Sequence, residues 1–217
     1  NPPTVSPPKD APVRYRWQRT LEFTDFAAWS DVSAHFAPLY RSAATLADDS
    51  VLKREAERIA TAHADPLARA SAALKLVQQD VRYIYVGLNG GNLTPASADE
   101  TWRRRYGDCK GKTTLLLALL AELGVDAEPV LVNSIGIDDG LDQRLPVPQY
   151  FDHVLVRARI DGTTYWLDGT LPSVAAPSPR PVLPVRWVLP LPLGGSDLQK
   201  LDWQPATTPD EINLMEV

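Results

Sequence analysis

One cysteine, one methionine and three histidines are all that 217 residues supply of the softer ligand and nucleophile side chains. A lone thiol rules out an internal disulfide framework. Histidines at positions 35, 63 and 153, without cysteine partners, give no zinc-site spacing, so neither a metal nor a cofactor is expected. No apolar run approaches the roughly 18 residues of a membrane span, and no basic-then-apolar leader opens the chain. A long run of one charge is missing too. The 22 basic and 27 acidic side chains leave a net charge of -5 without a basic patch, which argues against nucleic acid as a partner.

What is present is enough apolar content, 44%, to bury a core, and much proline. Prolines crowd residues 1–12, which read as an extended lead or linker. The domain is expected over residues 13–195, with 196–217 a C-terminal extension or the start of a following module, so the chain reads as part of a larger multidomain protein. Helical spacing of Phe26, Trp29, Val32 and Phe36 predicts a helix over residues 23–40, and a similar pattern predicts another over 49–63. His35 and His63 fall within these two helices and are expected to have ordinary surface or core roles. Asp65-Pro66 is a cap followed by proline at the first helical position, opening a third helix over 67–81. A short extended segment follows from Arg82. A fourth helix starts near Asp108 and stops at Gly124, and residues 127–132 then read as a buried strand. After a polar loop, residues 153–160 and 163–167 form two strands joined by Asp161-Gly162, the strongest hairpin signal in the chain. The proline-rich stretch from Thr170 to Pro192 is either an ordered wrap or a linker.

The thiol sits where chemistry can use it. Cys109 opens a predicted helix, and unpaired amides and the helix dipole favour a thiolate there. Asp108 is a natural cap, Gly107 permits close approach, and Lys110 adds positive charge. The hairpin provides a separate geometric argument. A two-residue Asp161-Gly162 turn pairs Ile160 with Thr163 and fixes every pairing behind it, so Leu155 faces Asp168. His153 and Asp168 become diagonal neighbours on one sheet face. Val154, Val156, Ala158, Ile160, Tyr165 and Leu167 form the opposite, apolar face. Cys109, His153 and Asp168 are therefore the candidate nucleophile, base and orienting carboxylate of an acyl-transfer site. The Cys109 backbone amide is the natural first oxyanion donor. Tyr85 is the leading candidate for the second, ahead of Tyr83, Asn89 and Trp102.

The blocks Arg105-Tyr106-Gly107-Asp108-Cys109-Lys110-Gly111-Lys112, Phe151-Asp152-His153-Val154 and Tyr165-Trp166-Leu167-Asp168-Gly169-Thr170 together resemble the transglutaminase-like superfamily. The resemblance runs from about Phe23 to Thr170. It points to the bacterial group of transglutaminase-like cysteine peptidase domains in which this domain follows an N-terminal domain of unknown function. It implies an α+β, papain-like core with a helical N-terminal half and the nucleophile helix packed on an antiparallel sheet. It also implies a Cys109, His153, Asp168 triad, a peptide or protein substrate and an exported, periplasmic setting. This chain departs from the group at Gly111, where Asp is usual, at Asp152, where Asn is common, and at Gly169, where Pro is frequent. The expected activity is a thiol-dependent peptidase or acyltransferase working through a thioester. The alternative is a catalytically silent module that holds a peptide or spaces neighbouring domains.

Overall fold

The computed structural model describes residues 8–11, 21–86, 94–135, 138–182 and 185–202. Its first half is helical, with α1 (Trp29–Ala44), α2 (Val51–Ala62) and α3 (Pro66–Asp80). The Ser50 and Asp65 side chains accept the amides of Leu52 and Ala68, and Pro66 fills a first-turn position that needs no donor. The first helix begins at Trp29 instead of Phe23, because the preceding chain is strapped to a distant loop. Thr24 donates to the Pro146 carbonyl at 2.8 Å, and Glu22 pairs with Arg144 at 2.8 Å. Long-range partners here override helical spacing. His35 stands edge-on to Phe26 and Phe36, and His63 ends α2.

The short β1 (Arg82–Tyr83) pairs in parallel with β2 (Tyr106–Gly107), which sets Tyr83 opposite Gly107. Between them lies α4 (Ala98–Arg104), a helix the apolar pattern does not show. Seven residues with Ala98, Thr101 and Trp102 turned inward are too few for a period to emerge. The signal it did carry was its cap, Ser97 followed by Glu100, whose amide the serine hydroxyl accepts. Next, α5 (Cys109–Glu122) runs through the core and is buried from Cys109 to Leu120. It stops at Gly124, at φ 72°, where the amides of Gly124 and Val125 turn back to the carbonyls of Ala121 and Leu120.

The second half is one antiparallel sheet of β3 (Asp126–Val132), β4 (His153–Ile160), β5 (Thr163–Leu167), β6 (Trp187–Pro190) and β7 (Gln199–Lys200), in the order β5-β4-β3-β6-β7. Asp161 and Gly162 have φ values of 48° and 78°, the left-handed pair a tight hairpin requires. Ile160 pairs with Thr163 and Val156 with Leu167, the register expected from the turn. Val156, Ala158, Ile160 and Leu167 face the leucines of α5 and share a core with α2 and α3. The other face, with Val130, Leu155 and Trp166, is covered by the proline-rich chain, where Trp166 and Ser178 exchange two backbone hydrogen bonds of 2.7 and 3.1 Å. Among its described residues that stretch is thus a wrap over the sheet. It delivers β6 to the sheet interior, and the sheet takes in Lys200, beyond residue 195. No helix among the described residues is long and apolar enough to cross a membrane.

Candidate active site

Cys109 is the first residue of α5, and its side chain is 2% exposed. It shares a cluster with Tyr40, Phe151 and Val154, beside the start of β4. Asp108 caps the helix by accepting the Gly111 amide at 3.0 Å, and its other carboxylate oxygen binds the buried ammonium of Lys110. Thr113, one turn further on, donates to the Val154 carbonyl at 3.2 Å and pins the helix to β4. Burial, together with the charges of Cys109 and Asp108, keeps the Tyr40 phenol well above its usual range, so it remains a neutral wall behind the thiol.

The pairing of β5 with β4 ends at Val156 and Leu167, and beyond that point His153 and Asp168 turn toward one another. His153 Nε2 lies 2.8 Å from Asp168 Oδ2. That contact occupies Nε2 and leaves Nδ1 as the nitrogen available to Cys109. The other oxygen of Asp168 accepts the amide of Thr170 at 2.8 Å and its hydroxyl at 2.6 Å. Gln78, from α3, donates to the Asp168 carbonyl at 3.1 Å and to that of Ala175 at 3.2 Å, which fixes the backbone under the carboxylate. Nothing in the sequence pattern signalled Gln78. Asp152 is engaged elsewhere, accepting the amide of Ser134 at 2.6 Å and its hydroxyl at 3.0 Å.

Burial by itself would lower the pKa of His153. Hydrogen bonds to Asp168 and Cys109, and the charges on both, outweigh it and raise the value to about 10. Burial likewise opposes ionisation of Asp168, but its bonds to His153 and Thr170 hold it below the ordinary 3.8. The imidazolium's contribution to stability is complete below pH 6.5 and is lost as pH rises through about 10. The carboxylate's contribution is present above pH 3.8 and is lost on acidification below that value. At neutral pH the site holds an imidazolium beside a carboxylate.

The candidate oxyanion donors are spread out. The amide of Cys109, as the first in a helix, has no intrahelical acceptor. Tyr85 lies past β1 and is 75% exposed. Tyr83 is closer in: burial, then the charges of Cys109, Asp108 and Asp168, raise its pKa to about 12, so its hydroxyl stays protonated. Asn89 lies outside the described residues, and Trp102 is buried beneath the Arg105 guanidinium, 3.5 Å from its ring. A groove of about 550 Å³ opens at the far end of α5, between Arg41, Lys53, Leu117 and Glu122, and none of Cys109, His153 and Asp168 lines it. Among the described residues no three His, Cys, Asp or Glu side chains gather as a metal would need. Treatment with EDTA is therefore expected to leave the melting temperature unchanged, and a fall of several degrees would show a structural metal.

The Cys109 helix packed on an antiparallel sheet, with His153 and Asp168 at the open end of its hairpin, gives the papain-like, transglutaminase-core fold. A solved structure that shares it, over 83% of this chain and 32% of its own length, is a "putative protease" from Parabacteroides distasonis, with a TM-score of 0.61 and 14% identity. The chain thus spans about a third of that structure. Partial overlaps also occur with a "putative cysteine protease" from Cytophaga hutchinsonii (TM-score 0.35, 22% identity, 47% of this chain and 30% of that one). A further overlap is with the periplasmic domain of TgpA from Pseudomonas aeruginosa (TM-score 0.41, 19% identity, 61% and 49%). No protein-family model matches the chain, and no curated protein matches it.

Proposed function

We propose that the chain is a thiol-dependent amide hydrolase or acyltransferase, with Cys109 as nucleophile, His153 as proton carrier and Asp168 as its orienting carboxylate. The observation that carries this is the buried His153 imidazole, bonded to Asp168 at 2.8 Å and drawn to high pKa by Cys109 as well. Such an imidazolium favours a thiolate partner. Cys109 Sγ attacks the carbonyl carbon of a peptide or isopeptide amide, and the oxygen takes up negative charge facing the Cys109 amide. A tyrosine hydroxyl from the β1 edge, Tyr83 or Tyr85, completes the oxyanion site. The C–N bond then breaks as His153 gives its proton to the departing amine. Water, or a second amine, attacks the thioester while His153 takes its proton, and the C–S bond breaks to release the Cys109 thiolate beside the restored imidazolium. Peptide cleavage is the favoured outcome.

Alkylation tests the reading without a known substrate. Iodoacetamide labels Cys109 readily at pH 6, well below the roughly 8.5 at which an ordinary cysteine is half-ionised. His153→Gln moves the midpoint up to that ordinary range. An ordinary titration in the unaltered chain would instead favour a module that holds a peptide without cutting it. Intact-mass detection of an acyl adduct from a mixed peptide pool would then identify the substrate.

A further inference from the structure

Two lysines are buried among the described residues, and only one has an anion beside it. Lys110 binds Asp108. Lys112 is 2% exposed, has no carboxylate within ion-pair distance, and gives its ammonium to the backbone carbonyl of Val81 next to β1. A buried cation without a partner costs several kcal/mol, so its retention calls for a reason. The surroundings supply one. The stem of Lys112 passes between two glycine backbones: a Cβ placed on Gly107 would lie 3.6 Å from Lys112 Cγ, and one on Gly169 would lie 3.6 Å from Lys112 Cβ. Gly107 ends β2, two residues before Cys109, and Gly169 directly follows Asp168.

We infer that Lys112 is the positioning counter-charge of the site, a buried cation that balances the excess negative charge of a thiolate, an imidazolium and a carboxylate. The inference rests on the thiol-chemistry reading above. Counted by sign, Asp108 and Lys110 cancel, and His153 and Lys112 supply the two positive charges that offset Asp168 and a Cys109 thiolate, with Asp168 the one to which Lys112 is directly coupled. The ionisable groups at this end of the molecule are Asp108, Cys109 and Lys110 at the start of α5, His153 on β4, Asp168 after β5, Arg82 and Tyr83 on β1 and Tyr40 on α1. From α3 come Val77 and Gln78, neither charged, and its last residue, Asp80, which is paired with Arg105 at 3.5 Å. Burial lowers the pKa of Lys112 to about 8, and Asp168 is the charge that opposes this fall, so the lysine is cationic at neutral pH and electrostatically coupled to the carboxylate. The Val81 bond holds the ammonium in place between the two loops.

Two variants separate charge from anchoring. Lys112→Met removes charge and hydrogen bond together, whereas Lys112→Gln removes the charge and keeps a donor for the Val81 carbonyl. Loss of a positive charge makes both a thiolate and a loss of the imidazolium proton harder to reach by changing pH. Both limbs of the iodoacetamide profile should therefore move to higher pH, by about half a unit to one unit, in either variant. Melting temperatures should stay level or rise, since replacing an unmatched buried charge is often neutral or stabilising. A Lys112→Gln profile that overlays the unaltered one would overturn the inference. So would failure of both variants to fold, which would make Lys112 a structural anchor. If the unaltered chain itself labels like an ordinary thiol, the catalytic reading fails, and that result is distinct from a missing shift.

Discussion

Cys109→Ala and His153→Ala each abolish turnover, with losses on the order of 10⁴-fold or more, since removing either member of a nucleophile pair disables the whole unit. The two differ in their effect on the fold. Cys109→Ala deletes one sulfur from a packed cluster and should cost about 1 kcal/mol. His153→Ala leaves the buried Asp168 without the partner that holds its pKa down, a loss on the order of 3 kcal/mol, partly offset by the two bonds from Thr170. A Cys109→Ser variant controls for shape, because a hydroxyl at the same helix start is far harder to ionise. Turnover by a folded Cys109→Ala chain above one part in a hundred of the original would end the covalent mechanism, and circular dichroism confirms that the comparison is between folded proteins.

Asp168→Asn lowers turnover by about 100-fold or more, by analogy with triads in which the same change selects the wrong imidazole tautomer. The amide can still meet His153 Nε2 and Thr170, so the fold survives. It can no longer support an imidazolium by charge. The pKa of about 10 at His153 depends on that carboxylate, so the alkaline limb of activity falls to lower pH in the variant. Asp152→Asn is the matched control. It lies one residue from His153, but its carboxylate is taken up by Ser134 on the far side of β4, so its loss should be within a few-fold. Greater damage from Asp152→Asn than from Asp168→Asn would displace Asp168 from the third position.

The parts of this arrangement readable in the sequence are those set by local chemistry. A two-residue Asp161-Gly162 turn leaves one register, and the juxtaposition of His153 and Asp168 follows by counting from it. Asp65-Pro66 and Asp108 are caps that declare themselves within one turn. The β6 strand was hidden in a proline-rich stretch, because the prolines lie where the ladder ends and the sheet accepts only four residues. Likewise α4 was hidden, being capped but nearly aperiodic. The start of α1 was set by Glu22, Thr24 and their partners more than a hundred residues away. Gln78 acts on a main-chain carbonyl, an acceptor every residue possesses, so no sequence pattern marks the residue it serves. Tyr83 and Tyr85 looked alike as letters; the pairing of β1 with β2 separates them, setting Tyr83 opposite Gly107 at 37% exposure and leaving Tyr85 beyond the strand at 75%.

The threading of β6 between β3 and β7 also sets an order of assembly. Its neighbour β3 lies some sixty residues earlier in the chain, and contacts of such span close slowly compared with a hairpin, which forms in about 1–10 µs. His153 and Asp168 therefore meet early, on strands joined by two residues. The cluster that encloses Cys109 includes Leu189 and Leu191, on and just beyond β6, so the pocket around the thiol is complete only after the late strand has docked. A chain still being synthesised has its imidazole and carboxylate in place but not the enclosed thiol. On the function proposed above, the site would be complete only once β6 has docked.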